Sequence, residues 1–313
     1  RPSFSHHRVY ELLALRRSTR ASICAHMFTT IQASDSMAFA DNLFETVKGL
    51  AKVALQSRPC SRFKGRAEGR RLIIMANGPS LSQTIADCAD ELKSTPTMAV
   101  NFAAIAPEFT SLKPRYYVLA DPHFFTGPAD DANLSRLRTN LAAVDWPMTL
   151  FVPVKYGKKA RTLYGNIDIA TFNAVGVEGF APLCHAAFRA GMAMPRPRNV
   201  LIPSLMLAIA MGYAEIVVVG ADHTWMQTLS VTDDNEVVSV QPHFYNDGKD
   251  EQARVRHEYR NYRLHQIVES FAVAFKSYHD IANFAASRGV SIINATPGSF
   301  IDAFPRGSLS RAK

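Results

Sequence analysis

From residue 71 onward the chain alternates short apolar runs with turn residues. RLIIMA (71–76), TMAVN (97–101), YYVLA (116–120), MTLFVPV (148–154), IDIATF (167–172), EIVVVG (215–220) and VSIINA (290–295) each read as a strand. Most are apolar throughout rather than alternating, as strands buried on both faces are. Helical stretches separate several of them, notably 81–93 and 203–213. That pattern predicts an α/β domain with a mainly parallel sheet and helices on both faces. Residues 251–288 contain no Gly or Pro, and Leu264, Val268, Phe271, Phe275, Tyr278, Ile281, Ala282 and Ala285 mark an apolar stripe. They predict one long helix, or two in succession, stopped by Gly289.

The N-terminal part has a different texture. In 38–56, Phe39, Leu43, Val47, Leu50 and Ala54 recur at spacings of three and four, with Lys48 and Lys52 on the polar face. This predicts an amphipathic helix, which packs on its own domain, on a second subunit, or on a membrane surface. Arg58, Arg62, Lys64, Arg66, Arg70 and Arg71 then crowd one segment with Glu68 as its single acid. Much of the net charge of +8 is local to it. Such a segment is a solvated linker or attracts an anionic membrane surface, here across residues 38–71; nucleic acid is not expected as a partner. The expected organisation is a tail at 1–36, flexible or not native, a basic amphipathic helix and linker at 37–70, and a catalytic domain at 71–313.

Composition changes little: 47% hydrophobic and 20% charged residues are ordinary for a globular protein. There is no run of about 18 apolar residues, so no transmembrane helix is expected. Residues 1–36 lack an apolar core followed by a small-residue cleavage site, so no secretory signal is expected either. Cys24, Cys60, Cys88 and Cys184 are scattered without a CxxC pair and read as free thiols. The expected location is cytoplasmic, with peripheral attachment to the inner face of the membrane through 38–71 as the variant. Homo-oligomerisation stays open.

The chemistry gathers at the strand ends. The first run breaks on Asn77-Gly78-Pro79-Ser80, where glycine permits close backbone approach, proline fixes φ and serine can cap the helix that follows. A helix N-terminus there can bind an anion, although one glycine makes neither GxGxxG nor a Walker loop. Asn101, Asp121, Gly220 with Asp222 and His223, and Asn294 with Thr296 and Ser299 end four other runs. Five polar tips at one edge of a parallel sheet would make a cleft at the usual place for a ligand.

ANGPSL, a strand ending in Asn some twenty residues later, and SLMLAIAMGYAEIVVVGAD together resemble the bacterial sialyltransferases of glycosyltransferase family 42. They also resemble the related MptE-like, motility-accessory-factor group. KPRYYVLADPHFF, GADHTW and NATPGSFIDAFPR resemble proteins of surface-polysaccharide clusters in that wider group. The resemblance covers roughly residues 70–306. It implies a Rossmann-like fold and transfer of an acidic sugar, sialic acid-like or Kdo-like, from a CMP-linked donor to a glycan acceptor. It implies donor contacts at Asn77, Gly78, Pro79, Ser80, Asn101, Ser204 and Gly220, although LIPSLM around Ser204 lacks the glycine of the family's turn. Asp121 and Thr296, as polar strand tips, join that donor-binding set.

Such transfer needs a base for the acceptor hydroxyl, and histidine suits neutral pH. His123, His223 beside Asp222, His243 in QPHFYNDGK and His279 in the long helix are the candidates; His223, His243, His279 and Asp222 form the expected catalytic set. No Asp-x-Asp stands in the core sheet, and Asp130-Asp131 and Asp233-Asp234 read as solvated loops, so no metal or cofactor is expected. Two alternatives remain. One is a pterin diphosphokinase using ATP and magnesium at Asp121 and Asp222; the other is a non-catalytic nucleotide-sugar-binding protein.

Overall fold

A computed structural model describes residues 39–61, 63, 65–67, 69–239 and 262–309. Seven parallel strands form one sheet: β1 (Arg71–Met75), β2 (Thr97–Val100), β3 (Tyr116–Val118), β4 (Thr149–Pro153), β5 (Asp168–Phe172), β6 (Glu215–Val219) and β9 (Ser291–Asn294). Their spatial order is β5-β4-β3-β2-β1-β6-β9, every pair parallel. All seven strands expected from the apolar runs are present. A short antiparallel pair, β7 (Ser230–Val231) and β8 (Val237–Val238), stands apart from the sheet.

Strand β1 shows why the runs are apolar throughout. Leu72, Ile74 and Ala76 enter one core, with residues of α7 (Ala181–Arg189), α8 (Leu201–Met211) and α9 (Leu264–Ser287). Ile73 and Met75 enter the other, with α2 (Ser80–Ser94), α3 (Phe109–Leu112), α5 (Ala132–Ala142) and α6 (Gly157–Leu163). Alternate residues of one strand thus feed opposite layers, so both faces call for apolar side chains. The fold is α/β and Rossmann-like.

Both sheet edges are covered, which blunts open-edge pairing. Along β5, the Ser61 N–H donates to the Thr171 carbonyl at 3.1 Å and the Thr171 N–H to the Ser61 hydroxyl at 2.9 Å. Along β9, the Asn294 N–H donates to the Pro305 carbonyl at 2.9 Å and Arg306 bridges Asn294.

Several elements differ from expectation. Of the long helix, Leu264–Ser287 is described and 251–261 lies outside the described residues. Helices α3, α4 (His123–Thr126), α5, α6 and α7 are additional. Asp131, expected as a solvated loop residue, is the N-cap of α5 and accepts the Leu134 N–H at 2.9 Å. Helix α1 spans 39–56 among the described residues. It rests on residues 176–180 through Thr46 and Gly49, while the expected stripe of Phe39, Leu43, Val47 and Leu50 faces outward. Arg71, counted above in the basic linker, is buried and lies by Glu91 and Glu215.

Candidate functional site

The chain winds outward from β1 to β5, then returns to lay β6 against the other side of β1. The strand order therefore reverses between β1 and β6, and ligands of open parallel sheets bind at the carboxyl ends beside such a switch point. The corner 76–80 and the turn 220–223 meet there. Two close approaches fix them: the Ala76 N–H donates to the Val219 carbonyl at 2.9 Å, and the Gly78 N–H to the Gly220 carbonyl at 2.7 Å. A side chain at Gly78 would run into the Asp222 carboxylate, and a Cβ there would lie 2.6 Å from the Gly220 carbonyl oxygen. Gly220 has φ 67°, and a Cβ on it would lie 2.6 Å from the Ala76 carbonyl oxygen.

The N-terminus of α2 carries an anion of the protein's own. Pro79 takes the N-cap position at φ −61° without a capping side chain. Asp222 supplies one across the switch point: its Oδ2 accepts the Ser80 hydroxyl at 2.8 Å and its Oδ1 lies 3.3 Å from the Ser80 N–H. Ser80 is thus the first helical residue and not the cap. Both oxygens of Asp222 are engaged, and so are the Gly78, Ser80 and Leu81 N–H groups at this corner.

The next two tips are asparagines. Asn77 is nine-tenths buried, and its Nδ2 donates to the Val100 carbonyl at 3.1 Å, which fixes the amide orientation. Asn101 opens a 3₁₀ turn in the left-handed region, φ 50°. Its carbonyl accepts the Tyr117 hydroxyl at 2.5 Å, so a buried phenol holds the turn. Asn77 Oδ1 and Asn101 Oδ1 are buried without a hydrogen-bond partner among the described residues. A buried acceptor left unpaired costs free energy. Both are acceptors, suited to a hydroxyl or an amino group and not to a phosphate oxygen.

Farther along the edge, Asp121 Oδ1 accepts the His123 N–H at 2.7 Å. His123 Nε2 lies 2.9 Å from Asp131 Oδ2, and its ring centroid is 6.5 Å from that of Phe102, the neighbour of Asn101. An imidazole oriented by a carboxylate is the arrangement a general base needs. This pairing is not legible in the sequence, because its one signal is an aspartate eight residues on in an apparent loop.

His223 has the opposite character. It sits at φ 53° with its imidazole buried, the Trp225 ring centroid 4.1 Å away and the Tyr278 hydroxyl 2.6 Å from Nε2. Asn199 Oδ1 accepts the N–H groups of Leu201 and Ile202 and the Tyr278 hydroxyl, the last at 3.0 Å. Tyr278 spends its proton on Asn199, so Nε2 of His223 must be the donor to the phenol oxygen. Burial pushes this imidazole down to about 3. At neutral pH it is an uncharged brace joining β6, α9 and the start of α8.

The remaining expected residues separate. Ser204 is fully buried inside α8, its hydroxyl bonded back to the Val200 carbonyl at 2.8 Å, and does not line the cleft. The Thr296 hydroxyl accepts the Ala221 N–H at 3.0 Å, and the Ser299 hydroxyl donates to the Ala221 carbonyl at 2.6 Å. With the Phe300 N–H on the Asp222 carbonyl at 2.9 Å, they clamp the 220–222 turn from behind. His279 is exposed on α9, 3.2 Å from Asp302. His243 lies outside the described residues. Among the described residues no three His, Cys, Asp or Glu side chains are grouped to hold a metal ion, and no helix is long and apolar enough to cross a membrane.

No protein-family model matches the chain, and no curated protein matches it. Among solved structures it is similar to the MAf glycosyltransferase from Magnetospirillum magneticum AMB-1, at 10% identity and a TM-score of 0.47. The likeness covers 86% of this chain and 39% of that one, so the chain spans well under half the length of that protein.

Proposed function

We propose that the chain is a glycosyltransferase that moves an acidic sugar from a CMP-linked donor to a glycan acceptor, with the donor held over the β1–β6 switch point. The observation that carries this is the pair of unpartnered acceptors, Asn77 Oδ1 and Asn101 Oδ1, at the carboxyl ends of the neighbouring strands β1 and β2. Ribose hydroxyls or the cytosine amino group satisfy acceptors of this kind. The acceptor oxygen attacks the anomeric carbon, the bond to the CMP phosphate breaks with its electron pair, and the hydroxyl proton passes to a base. His123, oriented by Asp131, and His243 are put forward for that role. His223 is a positioning residue in this reading, because an imidazole with a pKa of about 3 is a weak proton acceptor near pH 7. Ser204 and Thr296 drop out of the donor contacts for the reasons of burial and clamping given above.

The diphosphokinase alternative fits less well. It needs Asp121 and Asp222 on shared magnesium, yet their strands β3 and β6 are three strand spacings apart, about 14 Å. Magnesium holds its ligands at about 2.1 Å.

Thermal unfolding with CMP, CDP, UDP and ATP, each with and without magnesium, separates the readings. CMP at a hundred times its dissociation constant should stabilise by about 2.7 kcal/mol without magnesium. Asn77→Ala should weaken CMP by tenfold or more, about 1.4 kcal/mol. Replacing the true base by Ala should lower turnover by about 10²–10⁴ with little change in CMP affinity. Selective stabilisation by ATP with magnesium would overturn the proposal, and nucleotide binding without transfer to any glycan would leave a binding protein.

A further inference from the structure

Helix α1 turns its apolar side outward. Phe39, Leu43, Phe44, Val47, Leu50 and Leu55 are 48–72% exposed, while Thr46, Gly49 and Val53 make the contact with the domain. At 100° per residue the outward set covers a sector of about 160°, wider than a coiled-coil seam. Its exposed apolar area is on the order of 600 Å², at the upper end for the largest patch on a monomer. The patch continues sideways: Phe39 packs on Phe180 of the neighbouring loop at 5.3 Å, and Leu183 of α7 is 47% exposed. Between the two helices runs a groove lined by Leu50, Val53, Val177, Leu183 and Ala187.

We propose that this face is where a second copy of the chain docks, α1 against α1 about a twofold axis. Area is the first reason. The stripe with Leu183 and the groove margins approaches the roughly 800 Å² per partner of a standard interface. Shape is the second: a ridge of Leu43, Val47 and Leu50 lies beside an apolar groove on the same surface, so one copy's ridge meets the other's groove in an isologous contact. Charge is the third. The flank of α1 is balanced, with Lys48 paired to Glu45 at 2.9 Å and Asp41 and Lys52 beside them. Of the described basic residues of the linker, Arg70 is exposed and the other three are engaged elsewhere. Arg58 donates to the Leu55 and Ser57 carbonyls, Arg66 lies 4.0 Å from Asp168, and Arg71 is buried by two glutamates.

The test is the mass of the full chain by light scattering and sedimentation over about 1–50 μM, because a dimer's population follows protomer concentration. Twice 34.6 kDa is expected. Leu43→Glu with Val47→Glu should raise the dimer dissociation constant by roughly a hundredfold or more, since buried unpaired charge is costly. Its far-UV spectrum should not change, and Lys52→Ala, off the apolar face, should leave the dimer intact. Should the double variant lose helical signal, Leu43→Ala with Leu50→Ala gives the same reading with higher helix propensity. A wild-type chain that stays at 34.6 kDa throughout, or a dimer indifferent to these variants, overturns the proposal. So does a monomer that sediments with phosphatidylglycerol-containing vesicles and loses that binding in the double variant, because the face then belongs to lipid.

Discussion

At position 223 an imidazole is held neutral in a place where it cannot easily take a proton. Its backbone is left-handed, φ 53°, its ring is buried against Trp225, and its Nε2–H is committed to Tyr278. Burial lowers its pKa from 6.5 to about 3. Between those values the unfolded chain binds a proton that the folded chain refuses. The contribution to stability is therefore complete above about pH 6.5 and is lost as pH falls toward 3, by up to about 1.4 kcal/mol per unit. Urea unfolding from pH 7 to pH 4 should show this slope, and His223→Gln, which keeps a donor and cannot ionise, should flatten it. If the variant and wild type keep the same slope, the buried neutral state is wrong. Glu178 adds a separate term at lower pH. Burial alone would raise its carboxyl, but Lys276 and Arg196 outweigh that and hold it below the usual range. Its contribution is present above about pH 4.5 and lost below it. Above pH 5 His185, whose imidazole burial and Arg189 also push down, adds to the slope, and the flattening in His223→Gln isolates the share of His223.

The β1–α2 corner makes the next prediction, at the scale of an element. Helix α2 is capped by Asp222, 142 positions away in sequence from Ser80. Asp222→Ala should remove that cap and cost about 1–2 kcal/mol in thermal or urea unfolding. Gly78→Ala should cost more, because its Cβ meets the same carboxylate and the Gly220 carbonyl within a rigid turn. If Asp222→Ala abolished transfer while unfolding stayed unchanged, the carboxylate would be a catalytic group and not a cap. This corner also marks how far the sequence could be read. The seven strands were legible because burial on both faces leaves continuous apolar runs. The close approach at Gly78 was legible from residue type. The cap was not, because a contact between two strand tips leaves no local period. Helix α5 was missed for a related reason: Leu134, Leu137 and Leu141 are buried, but Arg136 and Arg138 between them dilute the stripe. Ser204 was misplaced because its family match ignored that α8 is buried on nearly every side.

The whole molecule is tied together at Arg71, at the amino end of the sheet, opposite the cleft. Its Nη1 lies 2.7 Å from Glu91 at the end of α2, and its Nε lies 3.1 Å from Glu215 at the start of β6. Its Nη2 donates to the Leu309 carbonyl at 2.8 Å. One guanidinium thus joins β1, α2, β6 and the C-terminal segment, and its fork of donors explains why arginine serves here where lysine would not. That segment begins at the clamp behind Asp222, covers the edge of β9 and ends with Leu309 buried in the α2-side core. The C-terminal strap is therefore fastened to the sheet and to the cleft turn as an element of its own. Leu309→Ala should cost about 2–3 kcal/mol through the cavity it leaves. Arg71→Met should cost a similar amount, less than the 3–5 kcal/mol of a fully buried pair, because both glutamates are about one-third exposed. Since Arg71 holds Leu309 by its backbone, the two losses should not add, and a double-mutant cycle should give a coupling of at least about 0.5 kcal/mol. Hydrogen exchange supplies the spatial check. In either variant the Asn294 and Gly307 amides, which pair β9 with the strap, should exchange faster, while amides of β1 and β2 keep their protection. Uniform loss of protection across the sheet would instead mean that Arg71 supports global stability alone, and that the strap is not a separable element.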